Sequence, residues 1–114
     1  MTARTPEEIF AHHGEALGAE DIEEVVADYA DDAIIVMNKQ VHRGRDGARQ
    51  VFTQALGALP RATWQLDPVF AGDVLYLEWK ATAGGQKIED GIDTFVFRDG
   101  LIRAHTLSFT IRPA

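Results

Sequence analysis

Cysteine is absent from this 114-residue chain. That excludes disulfides, thiolate nucleophiles and cysteine-based zinc or iron–sulfur sites together, while leaving the compartment open. Long apolar runs are missing too: no stretch approaches the roughly 20 residues of a membrane span. The N-terminal Met1-Thr2-Ala3-Arg4-Thr5-Pro6 lacks the apolar core of a signal peptide, so a cytoplasmic setting without membrane contact is expected. Basic charge is scarce, with 11 Lys and Arg against 18 Asp and Glu and a net charge of −7. Binding along a phosphate backbone needs clustered cations, so nucleic acid is not an expected partner. Repeats, low-complexity tracts and linker-like shifts of composition are also absent, which leaves one domain over residues 1–114.

What is present suits a globular protein: 46% hydrophobic and 25% charged residues, in a chain long enough to bury a core without staples. Thr5-Pro6-Glu7-Glu8 combines an N-cap hydroxyl, a proline at the first helical position and a glutamate at the third, the signature of a capping box. The helix it opens places Ile9, Phe10, His13, Ala16 and Leu17 on one face and ends at Gly18. Asp21 caps a second amphipathic helix through Ile22, Val25, Val26 and Tyr29, with Tyr29 closing its inner face. The β-branched run Ala33–Met37 predicts a largely buried strand. A loop or short strand holds His42 and Gly44, and a third helix runs from about Asp46 to Leu59, stopped by Pro60.

The rest reads as strands. Ala62 to Phe70 is broken by Pro68, which suits an edge or bent strand. Val74 to Thr82 alternates Leu75, Leu77 and Trp79 with Tyr76, Glu78 and Lys80, and Gly84-Gly85 then makes a two-residue hairpin loop. Counting back from that loop sets Tyr76 opposite Asp93, puts Glu78 on the Asp93 face, and sends Leu75, Leu77 and Trp79 to the other face with Ile92, Thr94 and Val96. Such an apolar outer face predicts a homodimer. Asp93 is followed at period two by Phe95 and Phe97, so an acidic side chain shares a strand face with two aromatic rings. The order of elements indicates an α+β domain with a curved, mainly antiparallel sheet over helices.

Three stretches carry a family likeness: Ala30-Asp31-Asp32-Ala33, Arg43-Gly44-Arg45-Asp46-Gly47, and Asp93-Thr94-Phe95-Val96-Phe97-Arg98-Asp99-Gly100. With the element order they resemble the nuclear transport factor 2-like superfamily, which includes SnoaL-like polyketide cyclases and ketosteroid isomerases. The resemblance implies a cone-shaped, cystatin-like fold with three N-terminal helices on a curved sheet. It implies a pocket for a small hydrophobic molecule, and it matches Asp93 to the isomerase aspartic acid that donates a hydrogen bond in the oxyanion hole. The isomerase base falls on Met37, its oxyanion-hole tyrosine on His13, and the arginine of limonene epoxide hydrolases on Gly91. The usual isomerase and hydrolase mechanisms therefore lose support, and a SnoaL-like cyclase or dehydratase asks less of the sequence.

Two registers are open for the last hairpin. A three-residue loop Arg98-Asp99-Gly100 with a glycine bulge sets Asp93 opposite His105, an acid–base pair for proton transfer. A two-residue Asp99-Gly100 turn slips the register and turns His105 to the other face. Asp93 and His105 are the catalytic candidates. His13, Tyr29, Met37, Tyr76, Glu78, Phe95, Phe97 and Leu107 are the ligand-binding ones, although His13, Tyr29 and Tyr76 also suit core packing with a polar partner, and Glu78 equally suits a salt bridge to Lys80. No metal or other cofactor is expected: His12 and His13 lie on different helix faces, and Gly44-Arg45-Asp46-Gly47 lacks the phosphate-loop pattern. Enzyme, non-catalytic binding module and structural dimer remain the three readings.

Overall fold

A computed structural model of the chain describes residues 3–114; Met1 and Thr2, the start of the N-terminal segment, lie outside the described residues. The order is α1 (Pro6–Gly18), α2 (Ile22–Ala27), β1 (Tyr29–Met37), β2 (Gln40–Arg43), α3 (Gly44–Ala58), β3 (Thr63–Ala71), β4 (Val74–Ala83), β5 (Gln86–Arg98), β6 (Leu101–Ser108) and β7 (Arg112–Pro113). Six strands form one sheet in the order β2-β1-β6-β5-β4-β3, with β7 paired to β5. All pairings are antiparallel except β1 with β6. The expected α+β architecture is present, but only two of the three helices precede the first strand, since α3 follows the β1–β2 hairpin.

Helix α1 starts as its sequence dictates. The Thr5 hydroxyl accepts from the Glu8 backbone N–H at 3.1 Å, and the Glu8 carboxylate accepts from the Thr5 N–H at 2.9 Å. Ile9, His13 and Ala16 form its buried face. Helix α2 ends sooner than its periodicity predicts. Asp28 terminates it, and its carbonyl accepts from the Ile102 N–H at 2.8 Å. Tyr29 is therefore the first residue of β1, beside Ile102 of β6, rather than the last of a helix. It stays fully buried but reaches the core from the sheet. Pro68 sits in β3, which is an edge strand as its proline requires.

Two bulges correct two expectations. The Gly84-Gly85 loop begins the β4–β5 ladder with Ala83 opposite Gln86, but a register shift between Trp79 and Ala81 gives β5 one extra residue. Leu77 rather than Tyr76 then faces Asp93. Leu75, Leu77 and Trp79 turn inward and are buried, whereas Tyr76 and Glu78 are on the outer surface, where the Tyr76 hydroxyl donates to Glu78 at 2.7 Å. The outer face expected to pair two copies thus keeps only Ile92, Thr94 and Val96 of its six predicted residues.

At the other hairpin the turn is the two-residue Asp99-Gly100, both with positive φ (54° and 76°), the conformation that asparagine, aspartate and glycine tolerate. Left alone, that turn would carry His105 outward. A bulge at Arg103 shifts the ladder back by one, so Phe95 pairs with His105 and Asp93 with Leu107. His105 is thus on the Asp93 face, one diagonal step away rather than directly opposite.

The contact this irregularity creates should carry measurable stability. His105→Ala takes away one of the donors to the buried Asp93 carboxyl group, so it should cost about 3 kcal/mol or more, measured by urea unfolding of the variant against the parent.

Candidate functional site

Asp93 is the centre of the buried polar cluster. Period two along β5 places it on the inner face with Phe95 and Phe97, and it is 6% exposed. Its Oδ1 accepts from the Trp79 indole N–H at 2.7 Å, and its Oδ2 lies 2.7 Å from His105 Nε2. The other His105 nitrogen, Nδ1, is 2.8 Å from the Tyr29 hydroxyl. Burial, then the charges of Asp93 and Asp28, push the Tyr29 hydroxyl well above the usual tyrosine range, so it keeps its proton. One assignment satisfies every group: Tyr29 O–H donates to His105 Nδ1, His105 Nε2–H donates to the Asp93 carboxylate, and Trp79 N–H donates to its second oxygen. This assignment fixes the imidazole tautomer. Phe95 stacks on it with centroids 3.8 Å apart, so the ring is held from one face as well as at both nitrogens.

Trp79 depends on Gly91. The two face each other across β4 and β5, and the indole lies over the Gly91 backbone, where an added Cβ would fall 2.2 Å from Trp79 Cε2. Glycine in a strand interior marks such a close approach. An arginine at this position, as in the hydrolases considered above, has no room while Trp79 holds Asp93.

Beside Asp93 is an apolar cavity of about 300 Å³. Its walls come from α1, α3 and the inner sheet face, with Phe10, Phe52, Trp64, Trp79 and Phe109 supplying aromatic surface. Asp93, His13, Phe95 and Leu107 line it, as expected. His105 and Tyr29 do not; His105 contacts the far oxygen of Asp93 and Tyr29 contacts His105. Met37 and Phe97 are buried in the core away from the cavity lining. Tyr76 and Glu78 point outward because of the β5 bulge and cannot be ligand contacts in this cavity. Trp79, placed by turn counting on the outer face, is a site residue that sequence reasoning missed. Two signals pointed to it: the apolar alternation of Leu75, Leu77 and Trp79, and the isolated Gly91.

His13 has the most unusual environment. It is 3% exposed and packs edge-on against Tyr29, Phe52 and Phe95. Its Nδ1 is shielded and has no hydrogen-bond partner; the nearest acidic oxygen, Asp28 Oδ2, is 4.0 Å away. Asp28 is engaged elsewhere, by Arg4 at 2.9 Å and His12 at 2.7 Å. Burial, with lesser contributions from His105 and His12, pushes the His13 pKa down to about 3. Among the described residues no group of three His, Cys, Asp or Glu side chains is arranged to hold a metal ion, and no helix is long and apolar enough to cross a membrane.

Comparison with known proteins bears on the family and the fold. A family model described as the SnoaL-like domain matches residues 10–105. The chain belongs to the SnoaL-like domain family. Its fold is similar to that of SalBIII, an epoxide hydrolase/cyclase-like enzyme with a role in pyran ring formation in polyether salinomycin: the TM-score is 0.79 at 19% identity, covering 95% of each chain. It is also similar to an NTF2-like protein of unknown function from Burkholderia xenovorans, with a TM-score of 0.77, 20% identity, and 91% and 81% of the two chains covered. A cystatin-fold protein from Novosphingobium aromaticivorans gives 0.75 at 18% identity, covering 95% of this chain and 99% of that one. No curated protein matches. At these identities the solved structures establish the shared SnoaL-like fold alone.

Two predictions follow the geometry of this SnoaL-like site. Gly91→Ala should displace Trp79 and cost about 1–3 kcal/mol, while Trp79→Phe should cost a similar amount by leaving Asp93 Oδ1 without its donor; chemical denaturation of both variants checks this. His13 has a depressed folded-state pKa. Its neutral burial is therefore fully tolerated above about pH 6.5, and stability falls by about 1.4 kcal/mol per pH unit as pH drops towards 3. His13→Phe should flatten that acid limb by about one proton in urea titrations between pH 6.5 and 4.

Proposed function

We propose that this SnoaL-like protein transfers a proton on a small apolar ketone or polyketide-like molecule bound in the cavity, as an isomerase, cyclase or dehydratase does. The observation that supports it is a carboxylate at the wall of an apolar cavity, oriented from behind by His105 and Tyr29 and from the side by Trp79. A general base needs a fixed orientation and a free lone pair on the substrate side. Each Asp93 oxygen accepts one protein hydrogen bond and retains a second lone-pair direction. In the reaction Asp93 takes a proton from the carbon beside the carbonyl and returns it elsewhere on the same molecule. His105, anchored by Tyr29, keeps the carboxylate in place throughout. The isomerase role matched to Asp93, a protonated hydrogen-bond donor, gives way here to that of a base, because with Tyr29 donating to His105 Nδ1 both Trp79 and His105 Nε2–H donate to its oxygens.

A second reading also rests on a specific observation. Both Asp93 oxygens already have partners, which suits a cavity that binds a small hydrophobic ligand and orients it without reaction.

The two readings separate in deuterium oxide. A panel of small apolar ketones and hydroxyketones incubated with the protein should exchange hydrogens beside the carbonyl, followed by NMR, and Asp93→Asn should slow the exchange by about 10²–10⁴-fold while leaving the folded spectrum intact. Binding of panel members without exchange, or exchange unaffected by Asp93→Asn, would favour the second reading.

A further inference from the structure

His13 stands outside the proton-transfer scheme, yet it is the other titratable side chain on the cavity wall. Its two ring nitrogens differ in their surroundings. Nδ1 points out of the cavity towards Asp28, whose carboxylate is 1% exposed and 4.0 Å away. Of the two nitrogens only Nδ1 is shielded without a partner, and His13 lines the cavity, so Nε2, across the ring, is the nitrogen available to it. Were Nε2 the protonated nitrogen, the Nδ1 lone pair would face that carboxylate in an apolar setting, with no donor near it. With the proton on Nδ1, the N–H dipole points at the negative charge and the Nε2 lone pair is presented to the cavity. Electrostatics in a low-dielectric interior selects the second arrangement.

The other groups around the ring do not change this choice. His105 packs edge-on, with centroids 6.4 Å apart, and both its nitrogens are engaged by Asp93 and Tyr29. The Tyr29 proton is given to His105. His12, on the far side of Asp28, is 35% exposed and bonded to that carboxylate. The low basicity of His13 keeps the ring neutral, so Nε2 remains an acceptor across the physiological range.

We infer that His13 Nε2 is a hydrogen-bond acceptor for a ligand hydroxyl, so that among apolar ketones of the kind proposed above the cavity prefers one that also bears an alcohol or enol O–H, a hydroxyketone rather than a simple ketone. Both titratable groups of the cavity, the Asp93 carboxylate and the His13 nitrogen, then lack protons to give. A ligand offering only acceptors leaves His13 unsatisfied, and an anionic ligand meets Asp93 in an apolar enclosure; both are disfavoured. The position that holds a donating tyrosine in the isomerases here accepts, and ligand preference is inverted. The inference rests on the cavity being the binding site.

The test uses the full chain labelled with 15N and two neutral probes that differ by one donor, 1-indanol and 1-methoxyindane. Long-range 1H–15N spectra of the histidine rings should show His13 protonated at Nδ1 and not at Nε2 from pH 5 to 8. Titration should show the alcohol binding about 5- to 10-fold more tightly than the ether, the worth of one buried hydrogen bond, with the Nε2 resonance shifting on binding of the alcohol. In His13→Phe the two probes should bind equally. Protonation at Nε2 overturns the inference, as does equal affinity of the parent protein for both probes, and either leaves the cavity standing as the binding site. Absence of any shift in cavity residues with both probes overturns the binding site itself, and the inference with it.

Discussion

The buried carboxylate of Asp93 is the constraint around which the inner face of this sheet is arranged. A carboxyl group with 6% exposure among Phe95, Leu77 and Leu107 persists only if its oxygens are matched by partners. Two are supplied from two neighbouring strands: Trp79 from β4 and His105 from β6. Each has its own requirement. Trp79 needs a partner residue without a side chain, met by Gly91, and His105 needs a donor at its second nitrogen, met by Tyr29 at the start of β1. One carboxylate thereby fixes side-chain choices on four strands.

The two bulges are the mechanical counterpart of this cluster. A regular β4–β5 ladder counted from the Gly84-Gly85 loop would put Trp79 on the outer face, and a regular β5–β6 ladder counted from Asp99-Gly100 would do the same to His105. Each bulge inserts one residue and reverses the parity of everything beyond it. Both donors therefore owe their access to Asp93 to an irregularity, and both irregularities are close to the site. Bulges next to functional sites commonly re-aim a side chain in this way, and here two of them converge on the same acceptor.

Much of the architecture was legible because local signals agreed with one another. The Thr5–Glu8 capping box, the burial of His13 by helical spacing, and the edge placement of the Pro68 strand all follow from rules acting over a few residues. Asp93 stood out for the same reason, as one acid in an apolar alternation. Register was different, since loop counting is local but a bulge is decided by what the far residues bury. For β4 the hydrophobic alternation of Leu75, Leu77 and Trp79 outweighs the glycine loop, and that conflict was visible in the sequence. For β6 the contact between His105 and Asp93 was anticipated through a three-residue loop, yet it is made through a two-residue turn and a bulge at Arg103. Tyr29 satisfied a helical period and a strand position equally well, because its burial does not depend on which element supplies it. Asp28 carried no sequence signal, as its neighbours Arg4 and His12 are distant in the chain.

Two destabilising features coincide at the cavity wall formed by His13. Empty apolar volume forfeits packing, and the unpartnered Nδ1 of His13 forfeits a hydrogen bond in an interior where water does not replace it. A phenylalanine at position 13 would relieve both, filling space and removing the polar atoms, and the ring of aromatic neighbours already present would accept it. The position instead holds an imidazole whose charge is suppressed by burial and whose shielded nitrogen faces a carboxylate that is committed to Arg4 and His12. Local cost of this kind is offset when a bound molecule occupies the volume and engages the ring. The cavity and the histidine are thus two halves of one physical feature: the space admits an apolar body, and the neutral nitrogen sets which polar group that body can bring with it.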